Sequence, residues 1–167
     1  MPRIDSGKAA EHYVAAELAR HGWKVVYLGG NFANSDLCVE SEDGERALWI
    51  QVKAFDHPRA QKVILKKKQV LRWVGLDRWY VFVGMSKTDI NEPPAHYYCL
   101  PSKVVHDIAV EGADAFVGAG GKDTEFWGFN LKPYISKKKK LQIPAFDSIS
   151  LKRSDRNFDF LTNRTNN

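Results

Sequence analysis

Ser35-Asp36-Leu37-Cys38-Val39-Glu40, followed beyond the Glu42-Asp43-Gly44 turn by Ala47-Leu48-Trp49-Ile50-Gln51-Val52-Lys53, is the stretch on which the fold of this chain is decided. Leu37 and Val39 alternate with Asp36, Cys38 and Glu40, the period of a half-buried strand. Residues 47–53 read as its partner, and the turn between them makes an antiparallel hairpin. In such a hairpin Asp36 lies across from Gln51 and Lys53, which share one face. Val52 points the other way and leaves its carbonyl free at the strand end.

That geometry has a chemistry. A hard divalent cation prefers oxygen ligands and keeps several waters. The Asp36 carboxylate, the Gln51 amide oxygen and the Val52 carbonyl would offer it three oxygens. Such a metal lowers the pKa of a bound water and neutralises charge developing on a phosphate, while Lys53 orients or deprotonates the attacking water.

Working outward, residues 8–21 form a helix opened by Ser6 as N-cap and closed by Gly22. Ala10, Val14 and Leu18 make its buried stripe at i, i+4 and i+8. Glu11 projects about 100° from Ala10, at the edge of that stripe, where it can reach a site on the sheet. Residues 24–28 read as a strand, and Gly29-Gly30-Asn31 with Asn34-Ser35 as a turn-rich connection. After Pro58, residues 63–65 are short and extended and 67–74 helical. Residues 79–84 have the apolar run of a strand buried on both faces, and 97–100 form another. Ser102 caps a helix to about Val110, Gly118 to Gly121 is a flexible stretch, and 126–131 could be one further strand.

Length and composition set limits. At 167 residues the chain holds one full core. Its 44% hydrophobic content, with five Trp, six Tyr and nine Phe, describes a folded body. The net charge of +5 favours a polyanionic partner. Cys38 and Cys99 stand in no metal-ligand spacing, so they indicate neither a disulfide framework nor a zinc site. No leader pattern or run of about 20 apolar residues is present, which reads as a cytoplasmic protein that crosses no membrane. No signature of an organic cofactor is found: Gly118-Ala119-Gly120-Gly121-Lys122 invites a phosphate-loop reading, but Asp123 stands where Ser or Thr is needed and Phe116 where Gly is needed.

Gly7-Lys8-Ala9-Ala10-Glu11, Gly22-Trp23-Lys24-Val25, Ser35-Asp36-Leu37 and Ile50-Gln51-Val52-Lys53 resemble the PD-(D/E)XK, or restriction-endonuclease-like, nuclease superfamily. They look most like its Holliday junction resolvase-like branch, with a QxK variant of the motif. The resemblance covers about residues 5–100. It implies an α/β sandwich with a central mixed β-sheet flanked by helices, and a Mg²⁺- or Mn²⁺-dependent endonuclease acting on DNA. By the same resemblance Glu11, Asp36, Gln51 and Lys53 inherit the catalytic roles. Ser35 stands where the pattern has proline. Gln51 replaces the usual Glu and removes a negative charge from the metal site, which Glu11 or Glu40 would have to supply.

Each residue also has a plainer reading. Asp36 suits a turn beside Asn34, Lys53 suits a lysine that snorkels from an apolar strand, and Glu11 suits a solvated helix face. Asp36 and Lys53 together favour the metal site. Glu40 and His57 read as exposed, and Trp73, Trp79 and Tyr80 as core. Lys66, Lys67 and Lys68 precede the second helix near the site and are the candidate DNA contacts, ahead of the lysine run at 137–140. The expectation is one nuclease-like domain over residues 1–162, with its core at about 5–110, a C-terminal elaboration and a disordered tail at 163–167. Cutting two strands implies a homodimer with two sites related by symmetry. The alternative is a non-catalytic protein of the same fold that binds nucleic acid or a protein partner.

Overall fold

The computed structural model describes residues 5–29, 32, 34–57, 62–86, 89, 91–130, 134–136 and 141–143. The lysine run at 137–140 and the tail at 163–167 lie outside the described residues.

Helix α1 (Ser6–Arg20) begins earlier than expected: Asp5, not Ser6, is the N-cap, and its carboxylate accepts from the Lys8 N–H at 3.1 Å. An N-cap acceptor satisfies an otherwise orphaned amide of the first turn. The helix ends as expected at Gly22, with φ of 85°. The Trp23 N–H reaches the Leu18 carbonyl and the Gly22 N–H that of Ala19, each at 3.1 Å, which closes the last turn. Ala10, Val14 and Leu18 are buried, joined by Ala15.

Strands β1 (Lys24–Tyr27), β2 (Leu37–Glu40) and β3 (Ala47–Asp56) form an antiparallel meander. Its register pairs Leu37 with Ile50, and Asp36, just before the ladder begins, donates its N–H to the same Ile50 carbonyl. Strand β5 (Arg78–Met85) lies parallel to β3, and β6 (His96–Pro101) antiparallel to β5. The result is a five-stranded mixed sheet of order β1-β2-β3-β5-β6. Parallel neighbours need a crossover; here it contains β4 (Lys62–Lys66) and helix α2 (Lys67–Arg72).

The pleat divides the core in two. Leu37, Val39, Leu48, Ile50 and Val52 pack with Ala10, Val14 and Leu18 of α1. Trp49, Phe55, Tyr80 and Phe82 pack with Val70 of α2 and with Val105 and Ala109 of helix α3 (Ser102–Gly118). Helices thus flank both faces of the mixed sheet, the architecture expected from the sequence. Trp73 and Tyr80 are buried and Trp79 packs against the core, as expected.

Three features depart from the sequence reading. Helix α3 runs past Val110 to Gly118, because Gly112 is buried against β7 (Phe126–Asn130) and tertiary packing offsets its poor helix propensity. Ser102 is not the cap of α3; Pro101 holds that position, and the Ser102 hydroxyl is buried, bonding both the N–H and the carbonyl of Gly75 at 3.0 Å. Strand β4 is not an isolated extended segment: it pairs antiparallel with β7 in a second, two-stranded sheet. A short pairing of β8 (Tyr134–Ser136) with β9 (Leu141–Ile143) follows.

Candidate active site

Asp36 and Gln51 meet where the sheet steps, and the Lys53 charge acts on Asp36 there. Strand β2 begins at Leu37, whereas β3 continues to Asp56, so beyond Ile50 one side of β3 has no neighbouring strand. The other side remains paired, Gln51 to Tyr80, Val52 to Val81 and Lys53 to Phe82. This corrects the expectation that β3 ends at Lys53. The Val52 carbonyl lies clear of the ladder because β2 stops, not because β3 does.

Asp36 fills that step. The Asp36 N–H donates to the Ile50 carbonyl at 2.9 Å and fixes the backbone. The chain arrives there through Asn34, whose φ of 75° is one of the left-handed conformations asparagine tolerates. The Val52 N–H, left without a strand partner, donates to Asp36 Oδ2 at 2.7 Å. Gln51 Nε2 donates to the same oxygen. Neither bond falls on Oδ1. A residue's N–H and carbonyl lie on the same side of a strand, so the Val52 carbonyl also faces the step, where its contact is a long 3.4 Å one from Gln51 Nε2.

Gln51 is only 3% exposed, and its amide is held at both ends. Nε2 faces Asp36, while Oε1 accepts from Gln69 Nε2 at 2.6 Å. This orientation satisfies a carboxylate, which accepts and cannot donate. Gln69 was not singled out in the sequence. Its burial on α2, beside a helix face carrying Lys67, Lys68 and Arg72, is a tertiary fact, and only a buried polar residue among apolar neighbours could have signalled it.

Electrostatics tie the cluster together. Burial raises the Asp36 pKa above its ordinary value and the Glu11 charge adds to this; the Val52 N–H, Lys53 and Lys8 oppose it. Burial lowers the Lys53 pKa, and Lys66 adds to this, against the attraction of Asp36 and Glu11. Lys53 makes no salt bridge among the described residues. A half-buried ammonium without a paired carboxylate is unusual enough to mark a candidate site.

Glu11 approaches from the other side of the sheet. Gln51 and Lys53 alternate with Ile50 and Val52, which pack on α1, and so point toward the opposite, α2 and α3 face. From the first turns of α1, Glu11 reaches the open step closely enough to act on both Asp36 and Lys53. Its carboxylate pairs with Lys8 Nζ at 2.6 Å and is largely shielded from solvent.

The donor set suits a hard cation. The Asp36 carboxylate and the Val52 carbonyl face the same step, and Mg²⁺ needs few protein ligands because it keeps its waters. Gln51 would add its oxygen if the amide turned end for end, with Gln69 turning to match. No cluster of three or more His, Cys, Asp or Glu residues stands among the described residues.

Of the three lysines expected to contact DNA, Lys67 is held by Asp123 and lies 5.1 Å from the centre of the Trp127 ring. Lys66 and Lys68 make no salt bridge among the described residues. Glu40 pairs with Lys24 at 3.0 Å, away from the step. Cys38 and Cys99 are free.

Fold and cluster together define an α/β protein with an acid, an amide and a lysine gathered at the open step of a mixed sheet. No protein-family profile matches the chain, and no curated protein does. Among solved structures it is similar to Hjc, a Holliday junction resolvase from the archaeal hyperthermophile Archaeoglobus fulgidus, at 11% identity over 77% of this chain and 89% of that one, with a TM-score of 0.39. The functional reading rests on the chemistry of the site itself.

Proposed function

We propose that this chain is a metal-dependent endonuclease that hydrolyses phosphodiester bonds of DNA, with Mg²⁺ or Mn²⁺ held by the Asp36 carboxylate, the Val52 carbonyl and the Gln51 amide oxygen. One observation carries the reading: Lys53, half-buried and without an ion pair among the described residues, acts electrostatically on Asp36 beside a step in the sheet, and the Glu11 charge acts on both. The resemblance of Asp36 and Gln51-Val52-Lys53 to the PD-(D/E)XK nucleases supports the same assignment.

When bound, the cation supplies a water of lowered pKa and neutralises charge on the phosphate. The chain's own residues do the rest. Burial disfavours the ionised form of Asp36, and a cation bound beside it would favour that form. Lys53, its pKa lowered by burial, gives up its proton more readily than an exposed lysine, so it can accept one from the attacking water. While charged, it holds a phosphate oxygen. Glu11 orients the water or supports a second cation. Lys66 and Lys68 neutralise phosphates of the bound strand. A homodimer places a second site on the opposite strand.

Incubating supercoiled, linear and branched DNA with the protein tests this reading. Cutting is expected in Mg²⁺ or Mn²⁺, and is lost in EDTA and in Lys53→Ala. Cutting that survives either change removes the mechanism.

Gln51 favours a second reading: standing where the nuclease pattern has Glu, it removes a negative charge from the site, as it would in a non-catalytic protein of this fold that binds nucleic acid or a protein partner. Calorimetric titration with Mn²⁺ separates the two: a binding heat that disappears in Asp36→Ala belongs to the nuclease, and its absence to the binding protein.

A further inference from the structure

Beside the candidate active site lies a groove of about 540 Å³ between α2 and the start of β7, with Lys66, Lys68, Leu71, Arg72 and Phe126 among its walls. Its volume is within the range of about 300–1,000 Å³ common for small-ligand sites. The antiparallel register sets Lys66 directly opposite Phe126, and Ile64 opposite Gly128. Directly opposed residues share a face, so this is the outer face of the two-stranded sheet. The inner face carries the buried Val63, Leu65 and Phe129. Outside, Phe126 is 54% and Leu71 46% exposed, and Gly128 adds no side chain to the platform.

Two kinds of wall therefore face one space. Lys66, Lys68 and Arg72 make no salt bridge among the described residues, and Glu125 is the acid that lines the groove. That charge balance suits phosphates. An intact duplex would use the cations alone, since its bases are stacked inside and offer no ring to Phe126. An unpaired base offers both of its π-faces, and aromatic platforms flanked by cations bind single strands in this way. The groove and the cluster lie on two sides of α2: Gln69, on its inner side, bonds Gln51, while Lys66, at the edge of the groove, acts electrostatically on Lys53.

We infer that this groove holds an unpaired nucleotide of the DNA strand presented to the active site, its base against Phe126 and Leu71 and its flanking phosphates on Lys66, Lys68 and Arg72. The substrate class is then DNA with a single-stranded element, such as a gap, flap or branch. This rests on the proposed nuclease reading and narrows it.

Fluorescence anisotropy in EDTA, with a labelled intact duplex and the same duplex carrying a short single-stranded gap, tests the assignment. The gapped DNA is expected to bind more tightly. Phe126→Ala is expected to weaken gapped-DNA binding about five-fold or more, the lower end of what base stacking on an aromatic ring contributes, and to leave duplex binding unchanged. Phe126→Tyr keeps the ring and retains the preference, which separates loss of stacking from loss of fold. Lys68→Ala and Arg72→Ala weaken both substrates. Equal affinity for the two DNAs, or equal weakening of both by Phe126→Ala, overturns the inference. So does a dimer in solution that Phe126→Ala dissociates, which would give the groove to a second copy of the chain. Lys53-dependent cutting of intact duplex with no effect of Phe126 overturns the inference alone. Failure to bind any DNA overturns it together with the nuclease reading.

Discussion

Replacing Gln51 by Glu sets a second carboxylate where an amide donor now meets Asp36. Gln51 is 3% exposed, its nitrogen donates to Asp36 Oδ2, and its oxygen accepts from Gln69 at 2.6 Å. The variant keeps the bond from Gln69 and strengthens it, since the acceptor becomes charged. It loses the bond to Asp36, a class of hydrogen bond worth about 1.5–3 kcal/mol, and gains repulsion between two carboxylates that resist ionising together. The repulsion outweighs the gain at Gln69, so in EDTA at neutral pH the expected loss is about 2–3 kcal/mol, within the charged hydrogen-bond range. For a chain of this size that lowers Tm by about 4–12 °C.

The sign with pH follows from the shared proton. At low pH the pair holds one proton between its oxygens and recovers a donor, so the deficit is smaller at pH 5 than at pH 8. A cation that binds the folded state at a hundred times its Kd stabilises by about 2.7 kcal/mol, and the added charge makes the variant bind Mn²⁺ more tightly than its parent. Thermal and urea denaturation in EDTA and in Mn²⁺ read both effects. A variant as stable as the parent in EDTA would show that the Gln51 amide does not face Asp36. An equal deficit with and without Mn²⁺ would show that no cation enters there.

Gln69→Leu strips the buried oxygen of Gln51 of its donor and is expected to cost about 1–3 kcal/mol by urea denaturation; an unchanged midpoint would refute the relay. Lys53→Met is expected to abolish cutting yet raise stability at neutral pH. The Lys53 pKa is lowered even with Asp36 and Glu11 attracting it, so between its folded value and 10.5 the unfolded chain binds more protons, and the parent gains stability as pH rises through that window. The advantage of Lys53→Met therefore shrinks toward high pH, and a variant less stable than the parent at pH 7 contradicts the argument. Tyr80→Phe is expected to be neutral or stabilising by up to about 1 kcal/mol, because the buried Tyr80 hydroxyl has no hydrogen-bond partner among the described residues; a clear loss in thermal denaturation would reveal one.

Elements whose reasons are local were legible in the sequence. The stripe of Ala10, Val14 and Leu18 sets the buried face of α1, and Gly22 ends it because the chain needs a left-handed residue there. Alternation about Leu37 and Val39 fixes which face of the hairpin is buried, since a slip of one residue would turn both out of the core. Elements held by distant partners were not. Strand β4 becomes recognisable only when β7, far along the chain, pairs with it. Gly112 reads as a helix breaker until its packing against β7 is seen. Ser102 offers the same hydroxyl to a cap or to Gly75, and only the approach of the loop before β5 selects the second.

The same division runs through the candidate site. The sequence by itself determined that Gln51 and Lys53 share one face of their strand, because side chains alternate there, and the hairpin reading set Asp36 across from them. Tertiary structure decided what those groups are in contact with. The early end of β2 turns the Val52 N–H and carbonyl toward Asp36, α2 brings Gln69 to set the Gln51 amide, and burial moves the Asp36 and Lys53 pKa values toward each other. Periodicity along a chain places side chains on faces; partners, desolvation and the direction of an amide depend on segments that only folding brings together.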